Sequence, residues 1–124
     1  MQRILIVEDT PIIREPMARL LWSEGYAVTS AANGVEALAS LEKEPVDLVL
    51  LDVLMPKMNG VQFLETFRAD SRWMDVPVIA VTGVLDSTWL LRLRELNVRT
   101  VIQKGRFELD TLLDEVHRNL PQAA

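Results

Sequence analysis

The order in which apolar and amphipathic segments follow one another limits this chain's fold more than any other feature. Short β-rich runs at Arg3–Val7, Tyr26–Ala31, Val46–Leu51, Val76–Val81 and Arg99–Gln103 alternate with segments of helical periodicity. The helical segments are Ile12–Glu24, Val35–Glu44, Val61–Ala69, Thr88–Leu96 and Leu109–Asn119. Five strands alternating with five helices predict βαβ units, and therefore a parallel sheet with helices on both faces. The runs Ile4-Leu5-Ile6-Val7, Leu48-Val49-Leu50-Leu51 and Val78-Ile79-Ala80-Val81 are continuously apolar, as strands covered on both faces are. The fifth run, Thr100-Val101-Ile102-Gln103, is shorter and more polar and reads as an edge strand.

Local signals refine this outline. Thr10-Pro11 predicts a helix cap followed by a first-turn proline. Pro16 lies deeper, where the missing N–H costs on the order of 3 kcal/mol, and predicts a bend or a delayed start of the first helix. Trp22, Trp73 and Trp89 read as core or half-buried packing residues. Trp89, Leu93 and Leu96 share one helical stripe, which reads as core, while Leu91 points elsewhere beside Arg94.

A chain of 124 residues fits one domain over residues 1–124, with a core large enough to stand alone. The tail Pro121-Gln122-Ala123-Ala124 directly follows the last helix, so no output domain is expected. There are no cysteines, which excludes disulfides, thiolate metal sites and thiol nucleophiles, and fits the cytoplasmic location expected for the protein. Glu8 cuts short the apolar stretch from Ile4 to Val7, leaving it too short for a signal peptide or membrane span. A net charge of −5 argues against nucleic acid as a direct partner. Arg92, Arg94, Arg99, Lys104 and Arg106 crowd one late stretch and suggest an acidic protein partner there.

Right-handed crossovers allow two common doubly wound sheets, and both bind ligands beyond the carboxyl ends of strands at the switch point. The first strand ends in Glu8-Asp9 and the third in Asp52. In a sheet of order 2-1-3-4-5 these two strands flank the crevice, and three carboxylates converge. Like charges about 4 Å apart repel by roughly 4 kcal/mol at an effective dielectric near 20. A divalent cation offsets that repulsion, and an all-oxygen set favours magnesium, calcium or manganese over zinc. The single histidine, His117, is far away on the last helix and reads as a solvated residue.

Asp52 can also attack phosphorus and hold an acyl phosphate. Such transfer needs cations and hydrogen-bond donors around the moving oxygens. The fourth strand ends in Thr82-Gly83, which offers a hydroxyl and an open backbone N–H, and the fifth ends in Lys104, a point charge. Taken singly, these are ordinary turn residues, solvated loop acids or an edge-protecting lysine. Together they put chemistry at the same edge of every core strand.

The ordered set Glu8-Asp9, Asp52, Thr82 and Lys104, with the stretch Asp52-Val53-Leu54-Met55-Pro56-Lys57-Met58-Asn59-Gly60, resembles the receiver domain of two-component response regulators. The resemblance runs from Ile4 to about Leu120. It implies an α/β, flavodoxin-like, doubly wound fold: a five-stranded parallel sheet of order 2-1-3-4-5 with five helices on both faces. It further implies that Asp52 accepts a phosphoryl group from a phosphohistidine on a sensor kinase or phosphotransfer protein. Asp9, Asp52 and the Leu54 carbonyl would ligate magnesium, or manganese in its place, with Glu8 acting through water. Thr82, Lys104 and the backbone of Leu54 and Gly83 would hold the phosphoryl oxygens, and Met55-Pro56 and Gly60 would shape the loop. The protein would then be a signalling phosphoprotein rather than a turnover enzyme, although it catalyses its own phosphorylation and slow dephosphorylation. Its partner surface would be the fourth helix, fifth strand and fifth helix, with Trp89, Leu91, Arg94, Arg99, Val101 and Arg106 as candidates.

The chain departs from the family pattern at three places. Val101 stands where the family usually has an aromatic, three positions before the lysine, and valine has one stiff rotor and no ring. Gly105 follows the lysine in place of the usual proline, so a trans bond is expected there. Leu54 and Val84, two positions beyond Asp52 and Thr82, are apolar and cannot orient a water, which predicts slow self-dephosphorylation. The first two departures motivate a second reading, an interaction or dimerisation module on this fold whose output phosphate does not switch. An aspartate-nucleophile phosphatase would need a second acid where Leu54 stands, so that reading is set aside.

Overall fold

The computed structural model describes residues 2–53, 59–83, 87–98, 100–103 and 109–120. Strands β1 (Arg3–Val7), β2 (Ala27–Ala31), β3 (Leu48–Asp52), β4 (Val78–Thr82) and β5 (Thr100–Gln103) form one parallel sheet of order β2-β1-β3-β4-β5. Between and after them lie α1 (Pro11–Ser23), α2 (Gly34–Lys43), α3 (Gly60–Ala69), α4 (Ser87–Glu95) and α5 (Leu109–Asn119). This is the expected doubly wound α/β fold.

Alternation along the buried strands sends successive side chains to opposite faces. Leu5, Val7, Val49, Leu51, Val78 and Ala80 face one layer, where they meet Ala37 and Leu41 of α2, Phe63, Leu64 and Phe67 of α3, and Leu93 of α4. Ile4, Ile6, Leu48, Leu50, Ile79, Val81 and Ile102 face the other, against Met17 and Leu21 of α1 and Leu112 and Val116 of α5. Phe63, Phe67 and Trp73 stack in sequence, with centroids 5.2 and 5.6 Å apart, and fill the space under α3.

Strand boundaries shift from the sequence reading for local reasons. Val76-Pro77 lies outside β4 because Pro77 has no N–H for a ladder. Tyr26 lies outside β2 because its N–H closes α1 on the Leu21 carbonyl (3.2 Å), while Gly25 N–H closes on Trp22 (3.0 Å). That pair of bonds is a Schellman closure, and Gly25 supplies the positive φ (96°) it requires. At their other ends β3 and β4 extend one residue further than expected. Asp52 pairs with Val81 and Thr82 with Gln103, so both polar residues belong to the sheet.

On α1, one of the two outcomes allowed for Pro16 and the reading of Trp22 fail. The start of the helix is not delayed by Pro16: Ile13 and Arg14 N–H already bond the Thr10 carbonyl (3.0 and 2.9 Å), and Pro11 sits at the first helical position. Trp22 is not packed but 73% exposed, because its phase on the helix lies opposite the buried Met17 and Leu21. Trp73 is buried and Trp89 is half-buried against the core, as read from the sequence.

Candidate functional site

The register that builds the sheet also builds the site. Val7 pairs with Leu51, so the residues that follow, Glu8 and Asp52, leave adjacent strands at the same level. Glu8 stays in line because its N–H bonds the Ala31 carbonyl at the end of β2 (3.0 Å). Carboxylate oxygens of Glu8, Asp9 and Asp52 lie within 4.8 Å of one another. Glu8 and Asp52 are buried, and Asp9 is partly exposed. Thr82, also buried, ends the next strand beyond Asp52, and Gly83 is an exposed bend after it.

Three converging carboxylates, two of them buried, repel one another strongly in a site of low dielectric. Opposite oxygens on a magnesium ion with bonds of 2.0–2.1 Å stand about 4 Å apart, close to the span these carboxylates already have. The donor set is all oxygen and contains no imidazole or thiolate, which suits a hard divalent cation.

Two residues at this site were not singled out from the sequence. Thr10 is the N-cap residue of α1, as expected, but its side chain makes no cap hydrogen bond. Instead its hydroxyl donates to Asp9 Oδ1 (3.4 Å) and its N–H to Glu8 Oε1 (3.2 Å), orienting both acids. Arg14 reaches back from α1, and its Nη1 donates to the Glu8 carbonyl (2.7 Å). It places a cation beside the cluster while holding the backbone from which two of the acids project. A cation one helical turn after Thr10 is the sequence signal that could have pointed to it.

Asp52 is fixed from the other side by α3. Gly60 N–H bonds the Val53 carbonyl (2.7 Å). A Cβ at Gly60 would stand 2.7 Å from Val53 Cα and 3.0 Å from the Asp52 carbonyl oxygen. A capping box starts α3: Asn59 Oδ1 accepts from Gln62 N–H (2.9 Å), and Gln62 Oε1 accepts from Asn59 N–H (3.0 Å).

Of the candidate phosphate and metal residues, Leu54 and Lys104 lie outside the described residues, as do Val84 and Gly105. Arg99 and Arg106 of the candidate partner surface are also outside them. Within that surface, Leu91 and Arg94 are exposed on α4, while Trp89 and Val101 pack inward against the core. Arg92 is held by Glu65 of α3 (2.9 Å) and by Glu95 (3.6 Å), so part of the basic charge on α4 is neutralised within the fold. His117 is exposed, as expected. No helix among the described residues is long and apolar enough to cross a membrane.

Comparison with known proteins agrees with this geometry. The family model described as "Response regulator receiver domain" matches residues 4–117. The chain is 35% identical over 120 residues to sporulation initiation phosphotransferase F of Bacillus subtilis, covering 97% of this chain and 94% of the relative. It is 43% identical over 83 residues to the sensory transduction protein RegX3 of Mycolicibacterium smegmatis, where the match spans 67% of this chain but 35% of that protein. Among solved structures, the chemotaxis protein CheY4 of Vibrio cholerae superposes with a TM-score of 0.91 at 31% identity, covering 97% of this chain and 99% of that one. The response regulator TrrA of Thermotoga maritima, solved in complex with Mg2+ and BeF, gives 0.84 at 32% identity, covering 97% and 100%.

Proposed function

Because this chain belongs to the response regulator receiver family, whose domains serve phosphorylation-based signalling, we propose that Asp52 accepts a phosphoryl group from a phosphohistidine and that the modified domain changes its affinity for a protein partner. The donor is a sensor kinase or phosphotransfer protein. The observation that carries the reading is the convergence of Glu8, Asp9 and Asp52 at the ends of β1 and β3, with Thr82 at the end of β4.

In the reaction an Asp52 carboxylate oxygen attacks phosphorus as the P–N bond breaks, and the electron pair returns to the imidazole nitrogen. An acyl phosphate on Asp52 results. Asp9 and Asp52 would hold Mg2+ directly and Glu8 through water, with the Leu54 carbonyl as the further protein ligand that the family resemblance implies. When bound, the ion would supply charge stabilisation for the transferring oxygens. The Thr82 hydroxyl donates to a phosphoryl oxygen, the Gly83 N–H is available to another, and Lys104 pairs with the group. Thr10 and Arg14 keep the acids aimed while this occurs. Leucine at 54 and valine at 84 carry no polar group that could orient a hydrolytic water, and the acyl phosphate decays slowly.

A small phosphodonor with Mg2+ tests the reading. Intact mass should rise by one phosphoryl group, and Asp52→Asn should abolish the gain. A wild-type protein that stays unmodified under saturating donor and metal would refute it. If the mass rises while partner affinity does not move, the fold serves as an interaction module that phosphate does not switch.

A further inference from the structure

Beyond its phosphoryl site the molecule carries a second organised surface, on the outer face of α1. Ile12 and Trp22 are 81% and 73% exposed, the two largest values among the described large apolar residues. Glu15 and Arg19 lie between them, both exposed and without an ion pair among the described residues. At 3.6 residues per turn these four positions fall within a stripe about 80° wide and about 15 Å long, opposite the buried Met17 and Leu21. Their 3-4-3 spacing is that of a helix–helix seam.

The stripe is complementary to itself. If two copies of α1 run antiparallel about a two-fold axis level with residue 17, Ile12 of one meets Trp22 of the other. The same axis sets Glu15 against Arg19. Both layers repeat on the other side of the axis, as an isologous contact requires. Beside Trp22 a groove of about 270 Å3, lined by Ala18, Arg19, Trp22, Val28 and Ser30, offers room for the second copy's Ile12. A parallel arrangement would instead set Glu15 on Glu15 and Arg19 on Arg19.

We infer that the occupant of this face is a second copy of the chain, joined through an antiparallel α1–α1 seam with Ile12–Trp22 and Glu15–Arg19 contacts in both directions. The seam depends on neither the metal nor the phosphoryl group. It is smaller than the roughly 800 Å2 per partner of a standard stable interface, so the association is reversible, with a dissociation constant on the order of tens to hundreds of micromolar.

Sedimentation of the full chain, up to about 1 mM, measures it. The wild type should form dimers, and Trp22→Glu should weaken association at least tenfold. E15R alone and R19E alone should each weaken it comparably, because each sets like charges against one another on both sides of the axis. The double variant E15R/R19E should recover most of the wild-type affinity. An equimolar mixture of the two single variants should form a mixed dimer, since every 15–19 contact is then between opposite charges. All four positions are exposed, so the variants should keep the wild-type circular dichroism spectrum and thermal midpoint. A wild type that stays monomeric at 1 mM overturns the inference, as does a dimer indifferent to both single charge reversals. A monomer whose α1 amides shift only when a phosphodonor protein is added would assign the stripe to that protein instead.

Discussion

Replacing Gly60 with alanine tests how tightly α3 is coupled to β3, the strand that carries Asp52. The new Cβ would lie 2.7 Å from Val53 Cα, 3.0 Å from the Asp52 carbonyl oxygen and 3.2 Å from that of Val53. Carbon atoms rest at about 3.5–4.0 Å, so α3 and the end of β3 must separate by roughly 1 Å. Neither side yields easily. Phe63, Leu64 and Phe67 lock α3 into the core, and Asp52 is paired to β4. Overpacking of this kind costs about 1–3 kcal/mol, a fall in thermal midpoint of roughly 3–6 °C for each kcal/mol in a domain of this size.

The clash is with the backbone that carries Asp52, so the strain also reaches the chemistry. A misplacement of about 1 Å at a reacting group can lower the rate by about 100-fold. Gly60→Ala should therefore slow labelling by a small phosphodonor far more than its stability loss explains, at temperatures where the variant is fully folded. Gly25→Ala is the control. Its Cβ would meet nothing within 4 Å, but its φ of 96° is strained for alanine, so it should lose about 1–2 kcal/mol of stability and label normally. Equal labelling rates for wild type and Gly60→Ala would refute the coupling.

The remaining tests address charge and lifetime. Without metal, Asp9→Asn should stabilise the fold by on the order of 1–3 kcal/mol by relieving carboxylate repulsion, and saturating Mg2+ should reverse the order; a metal-free variant no more stable than wild type would contradict the reading. The Arg72 guanidinium, bonded to Asp70 (2.7 Å) and stacked on Trp73, holds the Asp70 carboxyl at about 2 against its usual 3.8. A folded value below the unfolded one means this contribution is complete above about pH 4 and vanishes as pH falls towards 2. Urea midpoints across that window should therefore fall more steeply for wild type than for Arg72→Met, and parallel curves would refute the assignment. Asn59→Ala should cost about 0.5–2 kcal/mol through loss of the capping box, read by chemical denaturation. The acyl phosphate on Asp52 should persist for minutes or longer in purified protein, and decay within seconds would show that Leu54 and Val84 do not keep water from it.

The sheet was legible because burial on both faces leaves a plain mark, the unbroken apolar runs that end at Val7, Leu51 and Val81. So was the acidic site, since parallel strands end at one edge and the strand order implied by the resemblance sets β1 beside β3. Residues whose role depends on how one segment folds over another were not legible. Arg14 finds the Glu8 carbonyl only because α1 starts at once after Thr10, and the sequence reading had allowed Pro16 to delay that start. Thr10 carries a cap signature but spends its hydrogen bonds on the acids. Trp22 was misread because residue type was weighed before helical phase, although the phase relative to Met17 and Leu21 was available from the numbering.

The structure also constrains how a change at Asp52 could reach the surface. Asp52 pairs with Val81, Ala80 with Val101 and Thr82 with Gln103, so β4 lies directly between Asp52 and β5. Val101 and Trp89 pack against the same core layer, while Leu91 and Arg94 face outward on α4. A shift of Thr82 would therefore bear on a layer in which α4 supplies the aromatic ring and β5 supplies a stiff valine. Valine at 101 has no alternative ring position to report such a shift. Leu91 and Arg94, exposed on α4, are the described residues of the candidate partner surface through which an altered affinity could be expressed.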